Sequence, residues 1–205
     1  MLTLQNQNLT LCVDPFGAQM MELGSKQGTQ FLWNGDKQYW PDRAPVLFPY
    51  VARLTDGCYM LCGERYSMDI HGFAKDSVFT IEEQSSDSVT FCLRQTPETL
   101  RQYPFRFTFR VRYALRGWTV HVTYSVCNED EKELPFGIGG HPGFQIPIEK
   151  NLKFEDYRID FGEDPKPRRI LFSEDCFVLE EDEAFALEEG RYLNLEHNLF
   201  DDDAI

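Results

Sequence analysis

The sequence predicts an all-β chain, a large antiparallel β-sandwich whose two sheets pack face to face. Three observations carry this. The hydrophobic pattern repeats almost everywhere with a period of two, which puts alternate side chains on one face of a strand. No long stretch repeats at the helical spacing. The alternating runs are separated by residues that favour turns. Packing two sheets together buries the apolar side of many half-apolar strands at once. At 205 residues the chain suits a single domain spanning 1–205, since domains peak at roughly 100–150 residues and all-β folds reach about 200–250.

In chain order, Leu9–Val13 alternates first. Phe79 with Ile81, and Val89, Phe91 and Leu93, form two further runs joined by the turn-rich Gln84–Ser88. Pro97–Tyr103 reads as one or two helical turns, with Pro97 near the first helical position, where its missing N–H costs nothing. Phe105, Phe107, Phe109, Val111, Tyr113 and Leu115 then occupy every second position, with Arg106, Arg110 and Arg112 between them. After Arg116–Gly117 the apolar set resumes on Trp118, Val120, Val122, Tyr124 and Val126. These two runs predict a hairpin whose apolar faces match across a tight turn. Its aromatics read as core, its arginines as a solvated or groove-facing surface, and His121 as a residue of the polar face. Between Glu174 and Glu189 the chain is strongly acidic and reads as a solvated loop or face.

Charge excludes some functions. Thirty-four acidic residues against 20 basic ones give a net charge of −14, which opposes nucleic acid and anionic membrane surfaces and favours neutral or cationic ligands. The first residues, MLTLQNQNLTLCV, lack the basic start and apolar run of a secretion signal, and no segment reaches the roughly 18–20 apolar residues of a membrane span. The expectation is a soluble, cytoplasmic protein. The six cysteines, Cys12, Cys58, Cys62, Cys92, Cys127 and Cys176, are spread through the chain and read as reduced, buried small hydrophobes. Their spacing gives no zinc motif.

Chemistry concentrates in Leu134–Pro147, LPFGIGGHPGFQIP. Gly139, Gly140, Pro142 and Gly143 constrain the backbone around His141, because glycine permits φ > 0 or a close approach and proline fixes φ. Apolar neighbours on both sides place this bend at a strand end. Two readings stand: a histidine aimed at a ligand, or a tight turn whose histidine bonds its own loop. His71 in MDIHGFAKD is likewise held by a glycine, with Phe73 as an anchor, and Arg53 lies in FPYVARLTDG between Pro49 and the turn Thr55–Gly57. One fixed arginine and two fixed histidines suit a neutral polyhydroxylated ligand. Neither a GxSxG elbow nor a glycine-rich phosphate loop is present.

FPYVARLTDG, HGFAKDS and GIGGHPGFQIP, in this order and spacing, resemble the aldose 1-epimerase (galactose mutarotase) family, in particular its shorter bacterial branch, from the first strand to residue 205. The resemblance implies a galactose mutarotase-like sandwich with a sugar-binding cleft, a hexose as partner, and no metal or organic cofactor. It implies that Arg53 and His71 bind and orient the sugar, that His141 is the general acid for the ring oxygen, and that a carboxylate matching Asp203 in LFDDDAI binds sugar hydroxyls. The family's base is a glutamate in a later stretch resembling CIEPW, and nothing like it occurs before Ile205. The expectation is therefore a C-terminally incomplete form lacking its last strands and its base, with an unpaired strand edge. The alternatives are a non-catalytic carbohydrate-binding or sensing domain and an epimerase of hexose phosphates, the latter disfavoured by the charge and by the lack of clustered arginines. The preferred sugar and the oligomeric state are left open.

Overall fold

The computed structural model describes residues 1–173 and 177–201. It divides into two units, Met1–Gln145 and Ile146–Ile205. Strands dominate, and the one α-helix among the described residues has six residues.

The first unit contains two larger antiparallel sheets, besides two two-stranded pairs. β1 (Leu2–Gln5), β2 (Leu9–Asp14) and β3 (Gln19–Ser25) form one of them in the order β1-β2-β3. Asn6 makes the first turn, its Oδ1 accepting the amides of Asn8 and Leu9 at 2.8 Å each. Next come a short strand β4 (Val46–Leu47) and a hairpin of β5 (Cys58–Leu61) with β6 (Glu64–Ser67). Cys62 and Gly63 turn that hairpin, both at positive φ, as a two-residue turn with the twist of its strands requires.

β7 (Thr80–Gln84), β8 (Ser88–Arg94), β9 (Phe107–Arg116) and β10 (Thr119–Asn128) form the larger sheet, ordered β10-β9-β8-β7. Between β8 and β9, α1 (Pro97–Gln102) starts at Thr96, whose hydroxyl accepts the Thr99 amide while the Thr99 hydroxyl accepts the Thr96 amide. This reciprocal cap, with Pro97 in the first turn, explains why so short a helix forms there. A last two-residue strand, β11 (Gly139–Gly140), pairs with β4.

The predicted hairpin is β9 with β10. Val120 pairs with Leu115, Val122 with Tyr113 and Tyr124 with Val111, so the apolar positions share a face. Gly117 opens the turn at φ +58°. Phe105 is buried but lies ahead of the strand. Phe91, Phe107, Phe109, Val111 and Tyr113 of the larger sheet share one core with Leu4, Leu11 and Val13 of the smaller one. Tyr113 crosses between them, its hydroxyl donating to the Ala18 carbonyl at 2.7 Å. Burial drives its pKa far up, so it remains a neutral donor.

The opposite face of the larger sheet carries the arginines, and they are paired. Arg110 grips Glu82 through two bonds of 2.6 and 3.0 Å, and Arg94 meets Glu129 at 3.0 Å. Among the described residues β10 has a strand neighbour on one side only. Trp118, in the turn that precedes β10, is 60% exposed.

In the second unit, β12 (Arg158–Asp160) pairs with β15 (Tyr192–Asn194), and β13 (Arg168–Phe172) with β14 (Val178–Ala184). Part of the acidic run is therefore strand, with Glu181, Asp182 and Glu183 exposed. Arg191 holds Asp160 in a two-bond ion pair, which lowers that carboxyl to about 2. No helix of the described residues is long and apolar enough to cross a membrane.

Candidate functional site

Three of the four residues singled out in the sequence lie in the first unit, on loops that backbone hydrogen bonds tie together. The fourth, Asp203, lies outside the described residues. Phe48 is the hub. Its ring is fully buried, stacked on Phe109 at 4.5 Å and set edge-on to Phe107 and Phe73. Its carbonyl accepts the amides of Phe73 and Ala74 at 3.1 Å each. That joins the segment leading to Arg53 to the segment that follows His71. Phe73 is buried in the same cluster, the anchor expected of it.

His71 sits at φ +67°, a conformation that side chains rarely adopt. Two bonds to Ala52 hold it there: its amide donates to the Ala52 carbonyl at 3.0 Å, and its Nδ1 accepts the Ala52 amide at 3.1 Å. An Nδ1 that accepts carries no proton, so neutral His71 bears its proton on Nε2 and can donate from it. Burial first, then the neighbouring His141 and Lys75, push the His71 pKa below its ordinary value, with Asp42 acting in the opposite sense. The Ala52 N–H aimed at Nδ1 opposes protonation further.

Arg53 follows Ala52 directly and is exposed. Its guanidinium takes part in none of the ion pairs among the described residues. It is a donor next to the His71 clamp.

His141 follows β11, and its amide donates to the Pro45 carbonyl at 3.0 Å. Gly137 makes a parallel tie to the Pro49 carbonyl at 2.7 Å. The imidazoles of His71 and His141 stand 5.7 Å apart between centroids, near edge-on at 70°. The two histidines thus come together from segments seventy positions apart in the chain.

Of the two properties that glycine offers, the bend around His141 uses close approach. Gly139, Gly140 and Gly143 are absent from the positive-φ positions. A Cβ on Gly140 would lie 2.7 Å from the Tyr124 hydroxyl, and one on Gly143 would lie 3.0 Å from both Trp33 and Trp40. Gly72 needs both properties, since its φ is +72° and a Cβ there would run into the Phe48 carbonyl.

Trp40 was not signalled by periodicity. Its indole lies 5.0 Å from the His141 ring, tilted by 41°. The aromatic, turn-rich segment WNGDKQYWPDR that carries it was the available clue. His121 is exposed on β10, opposite Ala114, and His197 stacks on Phe154 in the second unit at 4.5 Å. No group of three metal-ligating side chains occurs among the described residues.

A cleft of about 550 Å³ flanks the Arg53 segment, lined by Pro49, Val51, Tyr59, Met68 and Phe136 among others. Arg53, His71 and His141 are not among its lining residues. The hydroxyls of Tyr59 and Tyr103 on its wall are already spent on the carbonyls of Gln102 and Pro135, and burial pushes Tyr59 up to about 12. Its apolar lining favours this cleft as a binding place, but proton transfer needs titratable donors and acceptors, and those converge at His71 and His141.

Comparison with known proteins places these residues in context. The family model for aldose 1-epimerase matches residues 1–177. The chromosomal LacX protein of Lactococcus lactis subsp. lactis is 33% identical over 213 aligned residues, covering all of this chain and 71% of the relative. A galactose mutarotase related enzyme from Lactobacillus acidophilus superposes with a TM-score of 0.92 at 31% identity, over 98% of this chain and 67% of that structure. A galactose mutarotase-like protein from Lactobacillus casei gives 0.91 at 33% identity, over 99% and 70%.

Proposed function

The chain belongs to the aldose 1-epimerase family and has the all-β fold of the galactose mutarotase-like proteins, and from that premise we propose that it carries the acid side of a hexose mutarotation site. In this reading His141 protonates the ring oxygen of the cyclic sugar while a carboxylate base takes the proton of the anomeric hydroxyl and returns it on reclosure. That base is the glutamate of the family's later motif and not one of residues 1–205. The C1–O5 bond opens to the aldehyde, rotation about C1–C2 presents its other face, and reclosure returns the proton to His141. Positioned acid–base groups of this kind contribute about 10²–10⁴-fold.

The observation that carries the reading is the pairing of the two imidazoles at 5.7 Å with only one of them tied up by the backbone. His71, held neutral with its proton on Nε2, is suited to donate a constant hydrogen bond to a sugar oxygen. His141, whose ring accepts no backbone amide among the described residues, is left to exchange a proton. Arg53 adds a charged donor, and Asp203 is proposed as an acceptor for sugar hydroxyls.

Polarimetry of freshly dissolved α-galactose or α-glucose, on the product of the full coding sequence, tests this. Acceleration over the spontaneous rate that disappears in His141→Ala supports it. No acceleration, or acceleration untouched by His141→Ala, sinks it. A second reading is a non-catalytic carbohydrate-binding or sensing domain, in which Arg53, His71 and His141 serve as polar partners of the sugar alone. Saturable quenching of tryptophan fluorescence by a hexose, without rate acceleration, would select that reading.

A further inference from the structure

The loop between Trp33 and Arg43 is fixed at both ends. On one side Gln19 Oε1 accepts the amides of Arg43 and Ala44 at 2.8 and 3.0 Å, and the Arg43 guanidinium donates to the Met21 carbonyl. On the other, the Trp33 amide donates to the Gly143 carbonyl at 2.9 Å and the Gly143 amide to the Arg43 carbonyl at 2.8 Å. Within the loop, Trp33 Nε1 donates to the Trp40 carbonyl at 2.8 Å and the Trp40 amide to the Asp36 carbonyl at 2.9 Å. Trp40 is thereby a fixed wall. Its indole is half-buried, lies against Gly143 where a Cβ would crowd it, and faces the His141 imidazole at 5.0 Å.

His141 itself is exposed, and among the described residues its ring accepts no backbone amide of the kind that locks His71. An exposed side chain samples several staggered rotamers, and a proton donor is effective only from the one aimed at the reacting oxygen. Something other than backbone must select that rotamer. The Trp40 indole at 5.0 Å and the His71 ring at 5.7 Å are the aromatic neighbours against which the imidazole can be held.

We propose that Trp40 is a positioning residue for His141, holding its imidazole in the rotamer that exchanges a proton with bound sugar. This rests on the reading of His141 as the acid. The glycine at position 143 is part of the same device, because it lets the indole close down on the turn.

Two measurements test it. In histidine-labelled protein, with the His141 ring resonances assigned by their loss in His141→Gln, the indole ring current displaces those resonances. Trp40→Leu, which keeps apolar bulk, and Trp40→Ala both return them to the positions of a freely exposed histidine, whereas Trp40→Phe keeps them displaced. Resonances unmoved in Trp40→Leu overturn the proposal. In the polarimetric assay, Trp40→Leu lowers kcat by about ten- to a hundredfold with KM changed by no more than about twofold, and Trp40→Phe restores most of the loss. A raised KM with kcat retained overturns the positioning role and makes Trp40 a wall for the sugar itself. A wild-type protein without activity sinks the epimerase reading alone, and the resonance measurement then still decides whether Trp40 orders His141.

Discussion

The amide of Ala52 donates to Nδ1 of His71 at 3.1 Å, and the amide of His71 donates back to the carbonyl of Ala52 at 3.0 Å. This closed pair fixes the ring's tautomer through the backbone alone. His71→Asn separates the two jobs of the side chain. Asparagine tolerates positive φ and places Oδ1 near the position of Nδ1, so it keeps the bond to Ala52 while losing the distal donor. The expected outcome is a melting temperature close to wild type together with loss of saturable hexose binding. His71→Ala also leaves the half-buried Ala52 amide unpaired and loses about 1 kcal/mol in urea titration. Equal stability of the two variants would show that the bond to Ala52 contributes nothing.

Acid weakens the fold through the same residue. The pKa of His71 is lowered in the folded protein by burial, with His141 and Lys75 adding to the shift and Asp42 opposing it. The unfolded chain therefore takes up this proton near the ordinary value of about 6.5, while the folded protein does so only at lower pH. Between those two values the unfolded state holds more protons, so stability falls as pH falls through this window and is insensitive to this group above it. Urea midpoints measured across the window should decline with acidification in the wild type more steeply than in His71→Asn, which has nothing to titrate there.

Gly72→Ala and Gly63→Ala distinguish two uses of glycine. Both positions have positive φ, but a Cβ on Gly63 would meet nothing within 4 Å, whereas one on Gly72 would strike the Phe48 carbonyl. Gly63→Ala is expected to cost only the left-handed penalty of about 1–2 kcal/mol. Gly72→Ala adds a backbone collision that no rotamer relieves, for a loss of roughly 3 kcal/mol or more, and it separates the His71 segment from Phe48. Denaturant titration compares them directly, and equal losses would mean that the approach to Phe48 has room to spare.

How far the sequence reveals these features depends on the range of the interaction. Alternation in β9 is legible because each of Phe107, Phe109, Val111, Tyr113 and Leu115 faces the core, and a period of two is a local property. The first turn of α1 is legible through Pro97 for the same reason, whereas its Thr96–Thr99 cap is seen in the structure alone. The matching run in β10 predicts its apolar face but not its burial, because exposure at Val122 depends on what packs against the sheet, a tertiary property. At the site, His71, His141 and Arg53 stand out by their glycines and turns. What brings the histidines together is invisible there: the Phe48 carbonyl, the Ala52 amide and Trp40 act through tertiary contacts, and alanine at 52 carries no chemical signal at all.

Gly140 and Tyr124 offer the sharpest test of why the bend before His141 is rich in glycine. A Cβ on Gly140 would lie 2.7 Å from the Tyr124 hydroxyl oxygen but 3.8 Å from the ring carbon that bears it. The obstruction is thus the hydroxyl alone, since 3.8 Å is an ordinary contact. Gly140→Ala by itself should force Tyr124 or β11 to move and lose about 1–3 kcal/mol. Tyr124→Phe by itself deletes a hydroxyl that donates to no other residue among the hydrogen bonds described above, and its effect should be small. In the double variant the methyl occupies the space that the hydroxyl leaves, so stability should recover, giving a coupling energy of about 0.5–3 kcal/mol. If the two losses simply add, the glycine at 140 is required by the β4–β11 pairing itself and not by Tyr124. Because β10 carries Tyr124 and β11 leads directly into His141, the same cycle measured on mutarotation would show whether the large sheet sets the position of the proposed acid.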